Sequence, residues 1–100
     1  DDPDLIQHLG LIFMETANGE MALGAFERVV QLDPERAEAF EILAILYDIA
    51  GFSKAALEAC EKALELNPEN ERTKEVLAEM RSKYTDLEAD TVPVESENQA

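Results

Sequence analysis

Two stretches of the chain carry nearly the same wording: LDPERAEAFEILAILYDIAG, Leu32 to Gly51, and LNPENERTKEVLAEMRSKYT, Leu66 to Thr85. Pro34 aligns with Pro68, an offset of 34 residues, and under it ERVVQLDPE falls on EKALELNPE. The offset extends upstream, where Ile6, Leu9, Gly10 and Phe13 fall on Phe40, Leu43, Ala44 and Tyr47, and Ala22 and Phe26 fall on Ala56 and Cys60. A repeat of this length is one supersecondary unit that cannot bury its apolar face alone, so the chain must stack like units side by side.

Within each unit, apolar residues recur at three and four, as in Ile6, Leu9, Phe13 and again in Leu23, Phe26, Val30, the period of a helix with one buried face. Each unit therefore reads as two helices. TANGE and IAGFSK supply glycines suited to positive φ between them, and Ser53 suits the cap of the next helix. LDPER and LNPEN use proline to stop a helix. Helices are expected at about 3–17, 20–32, 36–50, 53–66 and 70–86, an all-α hairpin solenoid.

Residues 1–85 form the expected module: repeat 1 at about 3–36, repeat 2 at about 37–70 and a capping helix at about 71–86. In that last helix, Leu77 and Ala78 keep the register of Leu43 and Ala44, whereas Lys74 and Arg81 replace Phe40 and Tyr47. Charge on one face is how an array ends without exposing core. The opening DDPD reads like the tail of a preceding inter-helix turn. Residues 87–100 carry acids, Pro93 and no base, so a disordered acidic tail is expected there.

These residues resemble the tetratricopeptide repeat, whose pattern W-x2-L-G-x2-Y…A-x3-F…P is met by Ile6, Leu9, Gly10, Phe13, Ala22, Phe26 and Pro34 and again by Phe40, Leu43, Ala44, Tyr47, Ala56, Cys60 and Pro68. Ile6 and Cys60 depart from the aromatics, and Val29 stands where the family prefers a small residue. The resemblance implies two helical repeats plus a cap, forming a protein-interaction scaffold that binds a peptide or helix on the side lined by the first helix of each unit. Small residues at Gly10, Ala22, Ala44 and Ala56 let paired helices approach closely.

Net charge is −15 at pH 7, from 23 acids against 8 bases, a field that repels nucleic-acid phosphates and anionic lipid, so neither nucleic acid nor a membrane is expected as partner. Cys60 is the only cysteine and His8 the only histidine, which leaves no internal disulfide and no thiolate metal cluster. No nucleophile with a base and no pocketed carboxylate pair is visible, so no catalytic residue, cofactor or metal is expected. His8 reads as a packed or surface side chain, and Cys60 as an inert buried thiol. Cysteine usage mildly favours a reducing, cytoplasmic setting, with a removed leader or a periplasmic location left open.

The stripe beside the core stripe is the candidate partner-binding groove: Gln7, Leu11, Met14 and Glu15, then Glu38, Glu41, Ile45, Asp48 and Ile49, then Arg72, Glu75 and Glu79. It is acidic with an apolar floor and suits a basic or amphipathic peptide or helix. Some family members clamp a partner's terminal carboxylate with lysines and asparagines, and Gln7 and Leu11 stand where such residues are expected, which argues against that role. Arg72, Glu75, Glu79 and Lys83, spaced at three and four, are expected to satisfy one another along the last helix. Acids on a helix also occur simply as its solvated face. Two further functions fit the residues: self-association into homo-oligomers through the groove or the open first helix, and a docking or regulatory part of a larger enzyme.

Overall fold

The computed structural model describes residues 2–84; the expected tail at 87–100 and the last turn of the expected capping helix lie outside the described residues. Four helices run α1 (Pro3–Glu15), α2 (Gly19–Leu32), α3 (Ala37–Ala50) and α4 (Ser53–Leu66). A fifth, α5, runs over 71–84, where the described residues end. No strand occurs among the described residues. The helices form antiparallel hairpins, α1 with α2 and α3 with α4; α2 carries α3 between the hairpins, and α5 closes the far end.

Local chemistry sets the helix ends. The Asp2 carboxylate accepts from the Asp4 N–H at 3.0 Å and Pro3 follows at the first helical position, where a missing N–H costs nothing. Under the 34-residue offset Asp2 takes the place of Arg36, the cap of α3, and Pro3 that of Ala37, its first residue. Asn18 caps α2, and Asn70 accepts from the Arg72 and Thr73 N–H groups at the start of α5. Ser53 is not the cap of α4: Phe52 holds that position without a side-chain cap bond, and Ser53 is already helical.

Both hairpin turns use the same closing motif. In the first, the Asn18 N–H reaches the Phe13 carbonyl at 2.8 Å and the Ala17 N–H reaches Met14; in the second, the Phe52 N–H reaches Tyr47 at 2.9 Å and Gly51 reaches Asp48. This i to i−5 pairing requires a left-handed residue just past the helix. Gly51 meets the requirement at φ 92°, but its counterpart is Ala17 at φ 59°, not the glycine of TANGE. Gly19 sits two residues too late and opens α2 instead.

One core threads the stack. It joins Ala22, Phe26 and Val29 of α2, Ala39, Leu43, Ala44 and Leu46 of α3, Ala56, Ala59 and Cys60 of α4, and Leu77, Met80 and Tyr84 of α5. Ile6, Phe13, Phe40 and Tyr47 lean on it half-buried. Phe26 is fully buried and lies directly over Gly10, where an added Cβ would stand 2.6 Å from the ring. The small residue at position 10 is thus a packing necessity. Val29, large where a small residue is usual, is nonetheless fully buried.

Leu9 departs from expectation. It carries the register of Leu43, yet is 44% exposed against 3%. Leu43 is covered because a hairpin precedes α3; no described element precedes α1.

Candidate protein-interaction groove

The face of α3 that follows the core stripe meets α5 along a row of polar contacts. Glu41, which the sequence assigns to an open groove, is buried instead. Its carboxylate accepts from the Thr73 hydroxyl at 3.3 Å and stands 3.4 Å from the Arg72 guanidinium. Thr73 is itself buried, and its carbonyl accepts from the Cys60 thiol at 3.8 Å. Burial first, then the nearby carboxylates of Glu41 and Glu61, push the Cys60 thiol up, away from the reactive thiolate.

One helical step of seven further on, Asp48 is engaged in the same way. It accepts from the Tyr84 hydroxyl and holds the Lys83 ammonium at 2.9 Å. The Tyr84 bond, with a smaller contribution from Lys83, keeps the Asp48 carboxyl below its ordinary range, although partial burial opposes the shift. Burial, then the bond to Asp48, pushes Tyr84 up to about 12. Arg72 and Lys83 therefore reach across to α3 and do not satisfy Glu75 and Glu79 along their own helix. An inter-helix acid brings its partner into a geometry fixed by core packing, whereas a neighbour along an exposed helix offers only a screened pair.

A matching contact fixes the first unit to the second. Arg36, at the cap of α3, donates to Gln7 at 3.1 Å and pairs with Asp4 at 2.7 Å and Asp33 at 3.0 Å. Gln7 is thus a joint between units. Tyr47 of α3 donates to Glu27 of α2 at 2.7 Å, and burial followed by that bond raises its hydroxyl to about 12. The repeat made Tyr47 legible as a core aromatic; nothing in the spacing announced its hydroxyl's partner 20 residues away.

The remaining stripe divides into two clefts. Ile45, Asp48, Glu79 and Lys83 come together with Val76 and Met80 in a cleft of about 240 Å³ between α3 and α5. Met14 and Ile49 meet at the other side, beside Leu46, Ala17 and Gly19. Leu11, Glu15, Glu38 and Glu75 are exposed and line neither cleft. Among the described residues, no ion pair holds Glu15, Glu38, Glu75 or Glu79. His8 is exposed. No cluster of His, Cys, Asp and Glu among the described residues has the geometry to hold a metal ion. No described helix is long and apolar enough to cross a membrane.

Stacked two-helix units with small residues at the hairpin crossings define a tetratricopeptide-like helical repeat fold. No family model matches the sequence, and no curated protein matches it. Among solved structures, the chain is similar to a crystal structure of MamA, with a TM-score of 0.70 and 21% identity over 96% of this chain and 61% of that one. A second crystal structure of MamA aligns with a TM-score of 0.69 and 21% identity, covering 88% and 54%. The chain spans about three-fifths of the longer-matched neighbour. A likeness at this identity establishes the helical-repeat fold.

Proposed function

We propose that this module is a noncatalytic protein-interaction scaffold that holds a basic, amphipathic segment of another protein across the stripe on α1, α3 and α5. The observation that carries the reading is the mismatch along that stripe: Leu11, Met14 and Ile49 stand exposed beside Glu15, Glu38, Glu75 and Glu79, acids without ion-pair partners among the described residues. Apolar side chains interleaved with uncompensated acids suit a ligand with apolar residues on one side and lysine or arginine on the other. Glu41 and Asp48 contribute to the stack rather than to ligand attraction, because α5 already neutralises them.

The test is affinity capture at low and moderate salt with the wild type and a Glu38→Lys, Glu75→Lys, Glu79→Lys variant whose helicity is confirmed by circular dichroism. Loss of a captured partner on the variant, with binding mapped to a basic stretch of that partner, is the expected result. Equal capture by both proteins refutes the stripe as the site. Substituting Glu41 or Asp48 instead would confound the answer by loosening α5.

A second reading, self-association, is favoured by one observation. Leu5, Leu9 and Ile12 form an exposed apolar row on α1 in the register of the buried Ala39, Leu43 and Leu46 of α3. Light scattering over a concentration series decides it: a monomer at all concentrations, unchanged by Leu9→Glu, removes this reading.

A further inference from the structure

An uncovered apolar feature runs from the Met14 and Ile49 part of the stripe to the edge where the hairpin turns meet. Leu23 of α2, Leu46 and Ile49 of α3 and Phe52 of the following turn line, with Gly19, an open cleft of about 370 Å³. The cleft lined by Met14, about 300 Å³, shares Gly19, Leu46 and Ile49 with it, so the two form one trough. Ile49 is 77% exposed and Phe52 is 56% exposed, although both turns close by the same backbone motif and need neither residue in the core.

The repeat itself marks Ile49 as unusual. Its equivalents are Glu15 and Lys83, both charged and exposed, so an isoleucine here answers no packing demand of the unit. Gly19 is the second anomaly: a Cβ placed on it meets nothing within 4 Å, and its φ is not in the left-handed region. Neither backbone conformation nor close packing calls for glycine at this helix start. Its effect is to leave the trough open.

We propose that this trough is the anchor site for the partner, taking two large apolar side chains one helical turn apart from a basic amphipathic helix of another protein. The inference rests on the interaction-scaffold reading and adds the place where the ligand is gripped. Two joined clefts that share Leu46 and Ile49, themselves one turn apart on α3, match anchors spaced by three or four residues. Glu20 lines the trough, and the chain carries −15 overall, which selects a ligand whose flanks are basic. The chain's own residues 86–100 hold five acids and no base, so their charge disfavours them as occupant.

The experiment selects binders from a random 16-residue peptide phage library on the wild-type protein. The recovered peptides are then measured by fluorescence anisotropy at moderate salt against three variants. Gly19→Leu fills the trough at a site with free space, Ile49→Ser strips an exposed wall, and Glu75→Lys with Glu79→Lys alters only the acidic stripe; circular dichroism confirms that each stays folded. The expected peptides carry two large apolar residues three or four apart among lysines or arginines, and lose affinity at least tenfold on Gly19→Leu and on Ile49→Ser. Peptides that bind both trough variants at wild-type strength but are lost on Glu75→Lys with Glu79→Lys overturn the anchor and leave the scaffold reading intact. Peptides indifferent to all three variants, or no enrichment, overturn both. Tighter binding by a synthetic 86–100 peptide than by any selected one overturns the choice of occupant.

Discussion

Helices α1 and α3 occupy equivalent places in their repeats and carry equivalent residues, yet they live in different surroundings. Leu5, Leu9 and Ile12 on α1 are exposed, whereas Ala39, Leu43 and Leu46, their equivalents on α3, are buried against the preceding hairpin. On the polar side, Gln7 makes a half-buried bond to Arg36, while its equivalent Glu41 is sealed under α5. Burial in a stacked array is thus a property of the neighbour as much as of the residue.

Truncation should show the difference most strongly. Leu43→Ala is expected to cost about 2–5 kcal/mol, and Leu9→Ala less than about 1 kcal/mol, read from urea unfolding midpoints at constant m-value. Equal costs would mean that the α1 row is covered in solution. Next is the hairpin crossing: Gly10→Ala puts a Cβ 2.6 Å from the Phe26 ring and should destabilise by about 1–3 kcal/mol. Unit 2 tolerates Ala44 at that place with Cys60 in the register of Phe26. Adding Phe26→Cys to Gly10→Ala should therefore cost less than the two single changes summed, as a double-mutant cycle would reveal.

Polar joints come next. Glu41→Ala leaves the buried Thr73 hydroxyl without its acceptor and should cost about 1–3 kcal/mol, whereas Gln7→Ala, at a partly solvated joint, should cost less than about 1 kcal/mol. The turns should give the smallest and opposite effects. Ala17→Gly relieves an alanine at φ 59° and is expected to stabilise by up to about 1 kcal/mol, while Gly51→Ala, at φ 92°, should destabilise by a similar amount in thermal melts.

The clasp between α5 and α3 also predicts a pH window. Tyr84 rises to about 12 in the fold against about 10 unfolded, so its contribution is whole below pH 10 and disappears as pH climbs from about 10 to about 12. Asp48, held below the ordinary carboxylate range, contributes at neutral pH and is lost as pH falls through that lowered value. Absorbance at 295 nm should show Tyr84 and Tyr47 titrating near 12. Asp48→Asn should lower the Tyr84 midpoint and leave Tyr47 in place; movement of both would refute the separate partners.

Much of the fold was legible because it depends on local periodicity. Pro34 and Pro68 mark the unit, the three-and-four spacing of Leu23, Phe26 and Val30 gives the buried face, and Gly10 before a distant aromatic signals a close crossing. The candidate site was less legible, since spacing places Glu38, Glu41 and Asp48 on one stripe but not which of them a later helix will reach. On α5 the repeat register marked Leu77 and Ala78; Leu77 is buried but Ala78 is exposed, and Thr73, Met80 and Tyr84 complete the docked face at spacings of four, three and four. The clefts at Phe52 and Gly19 had no periodic signal, because they arise where turns from different hairpins meet.

What the sequence determined by itself was the unit: two helices, their crossing, and the turn between repeats, all set by steric and hydrogen-bonding demands among residues near one another in the chain. The tertiary structure alone decided which equivalent residues are exposed, that Arg72 and Lys83 spend their charge on α3, and that Ile49 and Phe52 border an open trough. Those outcomes depend on the distance and desolvation between side chains brought together by stacking, which no residue's local pattern encodes.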